Sequence, residues 1–463
     1  MRALAVIGRP ADHALLAEVS ELPPDELAAG LREGLDQRLL RREGDGDLYA
    51  FRHPLGQEAV YDDILPGERL VLHGRTAGAL DRLTAATESS GFVGAELAHH
   101  WHKAQVWARA LPAAVAAARA AAGVTGFAEA YAQYQQALDA WAHLPDDATL
   151  DCTLAELQEE AAEAAHWVGA TAEAVALATA AREAARSRGD VHAEARANER
   201  LGRYLWELGD PVAGLAADRD AVRLLAGEPP SRLQARARAA LAAGLLLDGE
   251  SAAAAEEATA AVGLARTADS PAEESYALTT LGVCRAINGE LDQALELLDQ
   301  ARVISEDCGS IEEVFRVYAD LTFVLTTAGR PQESLEVAYA GMARTRQLGL
   351  TSTGGGALLV NTASTLQVLG DWDEARRVAH DALQQGVHDS FAGYLHLLIG
   401  DVAAARGSAD EAEQSYVAAA RITPLLADAW FGATLAASRA ELQLWAGAPQ
   451  DALRVVSETL PAL

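Results

Sequence analysis

Along most of this chain, apolar and polar positions recur at helical spacing, in paired runs separated by a short polar turn. Residues 276 to 308 show one such pair. Tyr276 through Ile287 is rich in Ala, Leu and Thr, Asn288-Gly289 supplies a backbone that tolerates positive φ, and Leu291 through Asp307 is a second amphipathic run. The pattern predicts two helices closed by a glycine turn.

The same landmark returns throughout. Gly169, Gly209, Gly249, Gly289, Gly329, Gly370, Gly407 and Gly447 stand 40, 40, 40, 40, 41, 37 and 40 residues apart, each at the end of an apolar run. Small residues keep fixed offsets around them. Gly282, Gly289, Ala294 and Ala301 recur as Gly202, Gly209, Gly214 and Ala221, as Ala242, Gly249, Ala254 and Ala261, and as Ala363, Gly370, Ala375 and Ala382. One unit further upstream, Thr125 takes the glycine's place, followed by Ala130 and Ala137. An interval of this size predicts stacked helical hairpins that share one continuous core. The offsets resemble those of tetratricopeptide repeats, lengthened from roughly 34 residues per unit. The expected fold is all-α: an α-solenoid of about nine tetratricopeptide-like hairpins, preceded by a small winged-helix-like domain. Expected boundaries are 1–73 for that domain, 74–122 for linking helices and 123–463 for the repeats.

The first segment departs from the period. It predicts a short helix over 2–9, a second helix capped by Asp12 and running to Val19, and a third from Pro23-Pro24-Asp25 to about Arg42. A polar turn at 43–47 and an extended stretch, Leu48 to His53, complete a winged-helix pattern. On the would-be recognition helix, 25 to 42, Arg32, Arg38, Arg41 and Arg42 are balanced by Asp25, Glu26, Glu33 and Asp36. With no net attraction for phosphate, this element is expected to pack against protein and not to read DNA.

Charge narrows the partners. The net charge of −30 opposes nonspecific binding to nucleic acid. Lysine occurs once, at Lys103, in Trp-His-Lys-Ala, so no Gly-Lys-Ser/Thr step of a Walker A loop is present. No apolar run approaches a membrane span and the N-terminus lacks a signal-peptide core, which together predict a cytoplasmic protein. Cys152, Cys284 and Cys308 are scattered singly, and are expected to be small buried thiols and not a disulfide or zinc framework.

One stretch is specific. Phe51-Arg52-His53-Pro54-Leu55-Gly56-Gln57-Glu58-Ala59-Val60-Tyr61-Asp62-Asp63-Ile64-Leu65-Pro66-Gly67-Glu68-Arg69, reaching Leu72-His73, resembles the junction between winged helix and helical repeats in large LuxR-type transcriptional regulators of the STAND ATPase class. Glu96-Leu97-Ala98-His99-His100-Trp101 and Arg109-Ala110-Leu111-Pro112 are similar to the same family. The resemblance implies a regulatory or sensor module, non-enzymatic by itself, that binds a protein or peptide partner or a small effector and can self-associate. It also implies that His53 matches the family's histidine that contacts nucleotide phosphates. ATP or ADP would then matter only if an ATPase domain came from a longer chain or a partner. Neither Walker motifs nor a helix-turn-helix reader lies within these residues, so the chain is expected to correspond to the middle of such a regulator. The alternative is a stand-alone adaptor that binds peptides or competes with full-length regulators.

Other candidates are weaker. His99, His100 and His102 cluster on one predicted helix, but they lack the i, i+4 pair that sets two imidazoles over one ion, and structural packing is expected. Gly354-Gly355-Gly356 follows no strand and reads as a loop between repeats, not a phosphate cradle. No Gly-x-Ser-x-Gly or His-Glu-x-x-His motif occurs. In hairpins of this type the first helix lines the groove, which nominates Arg196, Arg203, Trp206, Tyr276, Thr279, Arg316, Phe323, Ser364, Gln367 and Tyr394 as partner-binding positions. Mixed arginine and aromatic side chains suit a peptide or protein segment.

Overall fold

Every ladder glycine takes positive φ, between 74° and 95°, and Thr125 takes 61° in the same role. A β-branched residue in that region is strained by about 1–3 kcal/mol, and only the closure of the hairpin around it holds it there. The computed structural model describes residues 1–44, 47–85, 92–145, 151–347, 356–387, 389–422 and 429–459. Among them are 24 helices and three short strands. The chain forms two compact units, Met1–Ala164 and Ala165–Leu463.

The first unit begins with α1 (Arg2–Ile7), β1 (Ala11–Asp12), α2 (His13–Ser20), α3 (Pro24–Asp36), β2 (Leu40–Glu43) and β3 (Leu48–Phe51). The strands form an antiparallel sheet in the order β1-β3-β2, completing a winged-helix-like arrangement. Asp12 caps α2 as expected, its carboxylate accepting from Leu15 N at 2.8 Å. The third helix is shorter than its pattern suggested. It stops at Asp36, Arg38 turns the chain at φ 58°, and Arg41 and Arg42 lie on β2. Burial decides this. Leu40 is 1% exposed, paired with Phe51 and packed close to Gly34, a position that a continuing helix could not give it. Of the four arginines assigned to a recognition helix, only Arg32 is on one.

The unit continues with α4 (Pro54–Asp62), α5 (Pro66–Ala85), α6 (Phe92–Lys103), α7 (Trp107–Gly123), α8 (Phe127–Ala142) and α9 (Leu154–Trp167), whose last turn enters the second unit. The division inside α9 lies beyond the boundaries expected at 73 and 122.

The second unit holds α10 (Thr171–Arg188) and then seven hairpins, each a first and second helix around a ladder glycine. They are α11 (Val191–Leu208) with α12 (Pro211–Leu224), α13 (Arg232–Leu247) with α14 (Ser251–Thr267), and α15 (Pro271–Ile287) with α16 (Leu291–Cys308). There follow α17 (Ile311–Thr327) with α18 (Pro331–Gln347), α19 (Gly356–Leu369) with α20 (Trp372–Gln384), α21 (Asp389–Ala405) with α22 (Ala409–Ala420), and α23 (Ala429–Trp445) with α24 (Pro449–Thr459). Asp190 and Asp210 accept from Ala193 N and Ala213 N, both at 3.0 Å, and Pro211 and Pro271 occupy first turns where their missing N–H is harmless. One core cluster runs through successive hairpins, from Ala239 and Val262 through Leu278, Leu298 and Val317 to Leu358. No unit could bury this surface alone.

The three thiols are free, and they differ in setting. Cys284 is buried and Cys152 half-buried, but Cys308, expected inside, is exposed because it ends α16 beside Gly309. No described helix is long and apolar enough to cross a membrane.

Candidate functional site

A period of 40 stacks one position of the first helix upon itself. Residues 196, 236, 276 and 316 are Arg, Arg, Tyr and Arg, on α11, α13, α15 and α17. The Arg236 and Arg316 guanidiniums lie 5.2 and 3.9 Å from the centroid of the Tyr276 ring, within cation–π range. Tyr276 itself is buried.

Carboxylates from the neighbouring helices complete the cluster. Arg236 donates from Nε to Glu199 at 2.9 Å, from Nη2 to Glu312 at 2.8 Å and from Nη1 to Glu313 at 3.0 Å. Arg316 reaches Glu313 at 3.2 Å and Glu312 at 3.4 Å. Arg203 pairs with the same Glu312, 109 residues away in sequence, and Arg200 approaches it at 3.9 Å. Four guanidiniums therefore converge on one carboxylate. Burial alone would push Glu312 up, but Arg203, Arg236, Arg200 and Arg316 outweigh it and hold Glu312 well below the usual carboxylate range. Glu313, fully enclosed, moves the other way because burial exceeds the pull of Arg316. Asp320, one turn beyond Arg316, is pushed up to about 6, chiefly by burial.

The cluster is not sealed. Arg236, Arg203 and Arg316 keep 13%, 17% and 23% of their side-chain surface exposed and Glu312 keeps 17%, so guanidinium and carboxylate alike reach solvent at this face.

At its other end α11 meets α21. Ser390 Oγ lies 2.9 Å from the Glu207 carbonyl and 3.3 Å from that of Trp206, and the Trp206 ring is edge-on to Phe391 at 5.9 Å. Within the second unit this contact joins the end of α11 to the start of α21.

Of the residues nominated from sequence, Arg203, Tyr276 and Arg316 come together in the cluster, and Arg196 stands half-buried in the same column. Trp206 belongs to the contact with α21. Thr279 is buried and donates to its own helix at Ser275 O, 2.8 Å away. Phe323 packs on the edge of the core, while Ser364 and Gln367 lie half-buried on α19. Tyr394 is edge-on to Phe431 at 5.0 Å. His53 stands exposed before α4, and its side chain makes no capping hydrogen bond. Gly354 and Gly355 lie outside the described residues, and Gly356 opens α19.

Sequence reasoning passed over Arg236, Arg200, Glu199, Glu312 and Glu313. For Arg236 a signal existed: the ladder interval applied to Arg196 lands on it. The acids gave none, being indistinguishable from the many carboxylates on solvated helix faces.

The three histidines of α6 separate. His102 leaves the others and meets Asp139 at 2.7 Å, whereas His99 and His100 are joined by His73 of α5.

No family model matches the chain, and no curated protein matches it. Solved structures of similar architecture exist. A Rap protein complexed with competence and sporulation factor has 11% identity over 83% of this chain and 97% of its own, with a TM-score of 0.49. The Rap conjugation gene regulator of plasmid pLS20, in complex with the Phr* peptide, has 13% identity over 83% and 93%, with a TM-score of 0.49. A signal-transduction ATPase with a tetratricopeptide repeat sensor, from Pyrococcus horikoshii, has 13% identity over 93% of this chain, with a TM-score of 0.39. This chain spans 64% of that ATPase's length. Likeness at this level carries no chemistry across.

Proposed function

We propose that this chain is the sensor module of a regulator, and that its hairpin repeats take up an acidic segment of a protein or peptide partner at the Arg236–Tyr276–Arg316 column. The observation behind this reading is the convergence of Arg200, Arg203, Arg236 and Arg316 on Glu312 at a partly open inner face. A partner carboxylate can replace Glu312 on these guanidiniums at little net cost, because one charge-assisted pair is exchanged for another. Tyr276, buried beneath them, holds the Arg236 and Arg316 guanidiniums against its ring. Since Glu312 is on α17 and Arg203 on α11, the exchange would loosen one hairpin from another, which turns binding into a change of shape.

The LuxR-type STAND resemblance of residues 51–73 supports the regulatory part. In that reading His53, exposed ahead of α4, is the residue that would face a nucleotide held by an ATPase domain in a longer chain or a partner.

The test is selection of a displayed library of random short peptides on the full chain, followed by anisotropy titration of the winners. Asp/Glu-rich winners that bind Arg316→Gln at least tenfold more weakly, and Glu312→Gln more tightly, support the proposal. Winners without acidic enrichment, or with affinity indifferent to both substitutions in folded protein, would rule it out.

A further inference from the structure

Three imidazoles meet in the first unit, on helices that do not contribute to the arginine column. His73 comes from α5, and His99 and His100 from α6. A ring nitrogen of each lies within 4.8 Å of the other two. His73 Nδ1 and His100 Nδ1 are 2.8 Å apart and both rings are buried, while His99 is exposed at the rim.

The outer nitrogen of His73 has a hydrogen-bond partner, and that of His100 faces a carboxylate. Tyr61 Oη lies 2.9 Å from His73 Nε2, and Glu96 Oε1 lies 4.0 Å from His100 Nε2, with Glu96 fixed by Arg9 Nε at 2.8 and 3.0 Å. Histidines that hold a metal need such partners on the nitrogen away from the ion, to set tautomer and ring direction.

We propose that His73, His99 and His100 bind one divalent transition-metal ion of the zinc class, through three imidazole nitrogens, with a fourth position open to solvent beside His99. Zinc–imidazole bonds of about 2.0–2.1 Å at tetrahedral angles place two ligand nitrogens roughly 3.3 Å apart. His73 and His100 must therefore part by about half an ångström to admit the ion. On binding, each ring stays neutral. The proton of each neutral ring then sits on Nε2, where Tyr61 Oη accepts that of His73 and the Glu96 carboxylate, 4.0 Å away, faces that of His100. Arg69 and Lys103 oppose a cation here, and Glu96 favours one.

The spacing on α6 alone omits the third imidazole, which lies 26 residues before His99, on another helix. That ligand appears only when α5 packs on α6.

Titration of the full chain with Co²⁺ tests the site, since tetrahedral nitrogen ligation gives strong visible d–d absorption. The expected result is one saturable site, displaced by Zn²⁺. His99→Ala, at an exposed position that leaves the core untouched, should weaken it at least tenfold with an unchanged far-UV spectrum, as should His73→Asn if that variant folds. His102→Ala should leave it unchanged. Absence of saturable absorption, equal affinity in His99→Ala, or an equal loss in His102→Ala would overturn the proposal.

Discussion

Asp320 binds its proton unusually tightly, chiefly because it is buried. A carboxyl raised to about 6 in the folded protein, from about 3.9 when unfolded, holds its proton more tightly folded than unfolded. The sign follows: this group disfavours folding as pH rises through roughly 4 to 6, and the full cost is present above that window. Asp320→Asn should therefore stabilise the chain by up to about 3 kcal/mol at pH 8 and by nearly nothing at pH 4. Urea unfolding of both proteins at the two pH values measures this. An equal difference at both would assign the effect to packing and not to ionisation.

Between helices, the small residues of the repeat do the positioning. A Cβ on Gly214 would lie 2.7 Å from the Gly202 carbonyl oxygen, and one on Gly202 would lie 2.0 Å from Asp218 Oδ1. So α11 and α12 touch backbone to backbone, and any side chain at the crossing must push them apart. Gly214→Ala is expected to cost about 1–3 kcal/mol and to speed amide exchange along α11. Protection equal to the parent's would mean that the crossing relaxes freely. Thr125 shows the complementary case, in which turn geometry is imposed on a residue that does not favour it.

At the scale of the molecule, the arginine column couples hairpins far apart in the chain, whereas repeat proteins ordinarily communicate between neighbours. Arg236 alone holds Glu199, Glu312 and Glu313, which come from α11 and α17. Its replacement by Met takes one cation from three acids that the remaining arginines must then hold, with an expected loss of about 3–5 kcal/mol. Adding Glu313→Gln should recover part of it. Chemical denaturation of the single and double variants gives the coupling directly, and strictly additive losses would count against a shared network.

The repeat architecture was legible in the sequence because its causes are local: a glycine at each turn, a small residue at each crossing, and apolar positions at helical spacing between them. Asp12 as a cap was legible for the same reason. The end of α3 was not, because Leu40 is drawn off the helix by a strand partner, Phe51, that the helical period does not see. Only tertiary structure decided which inner-face residues meet. It joined Arg203 to Glu312 across 109 residues, set ion pairs among the nominated inner-face arginines, and added His73 to His99 and His100. Sequence periodicity records what each unit repeats, the arginine column included, but Glu199, Glu312 and the three histidines stand outside the repeat, and folding alone brings them into contact.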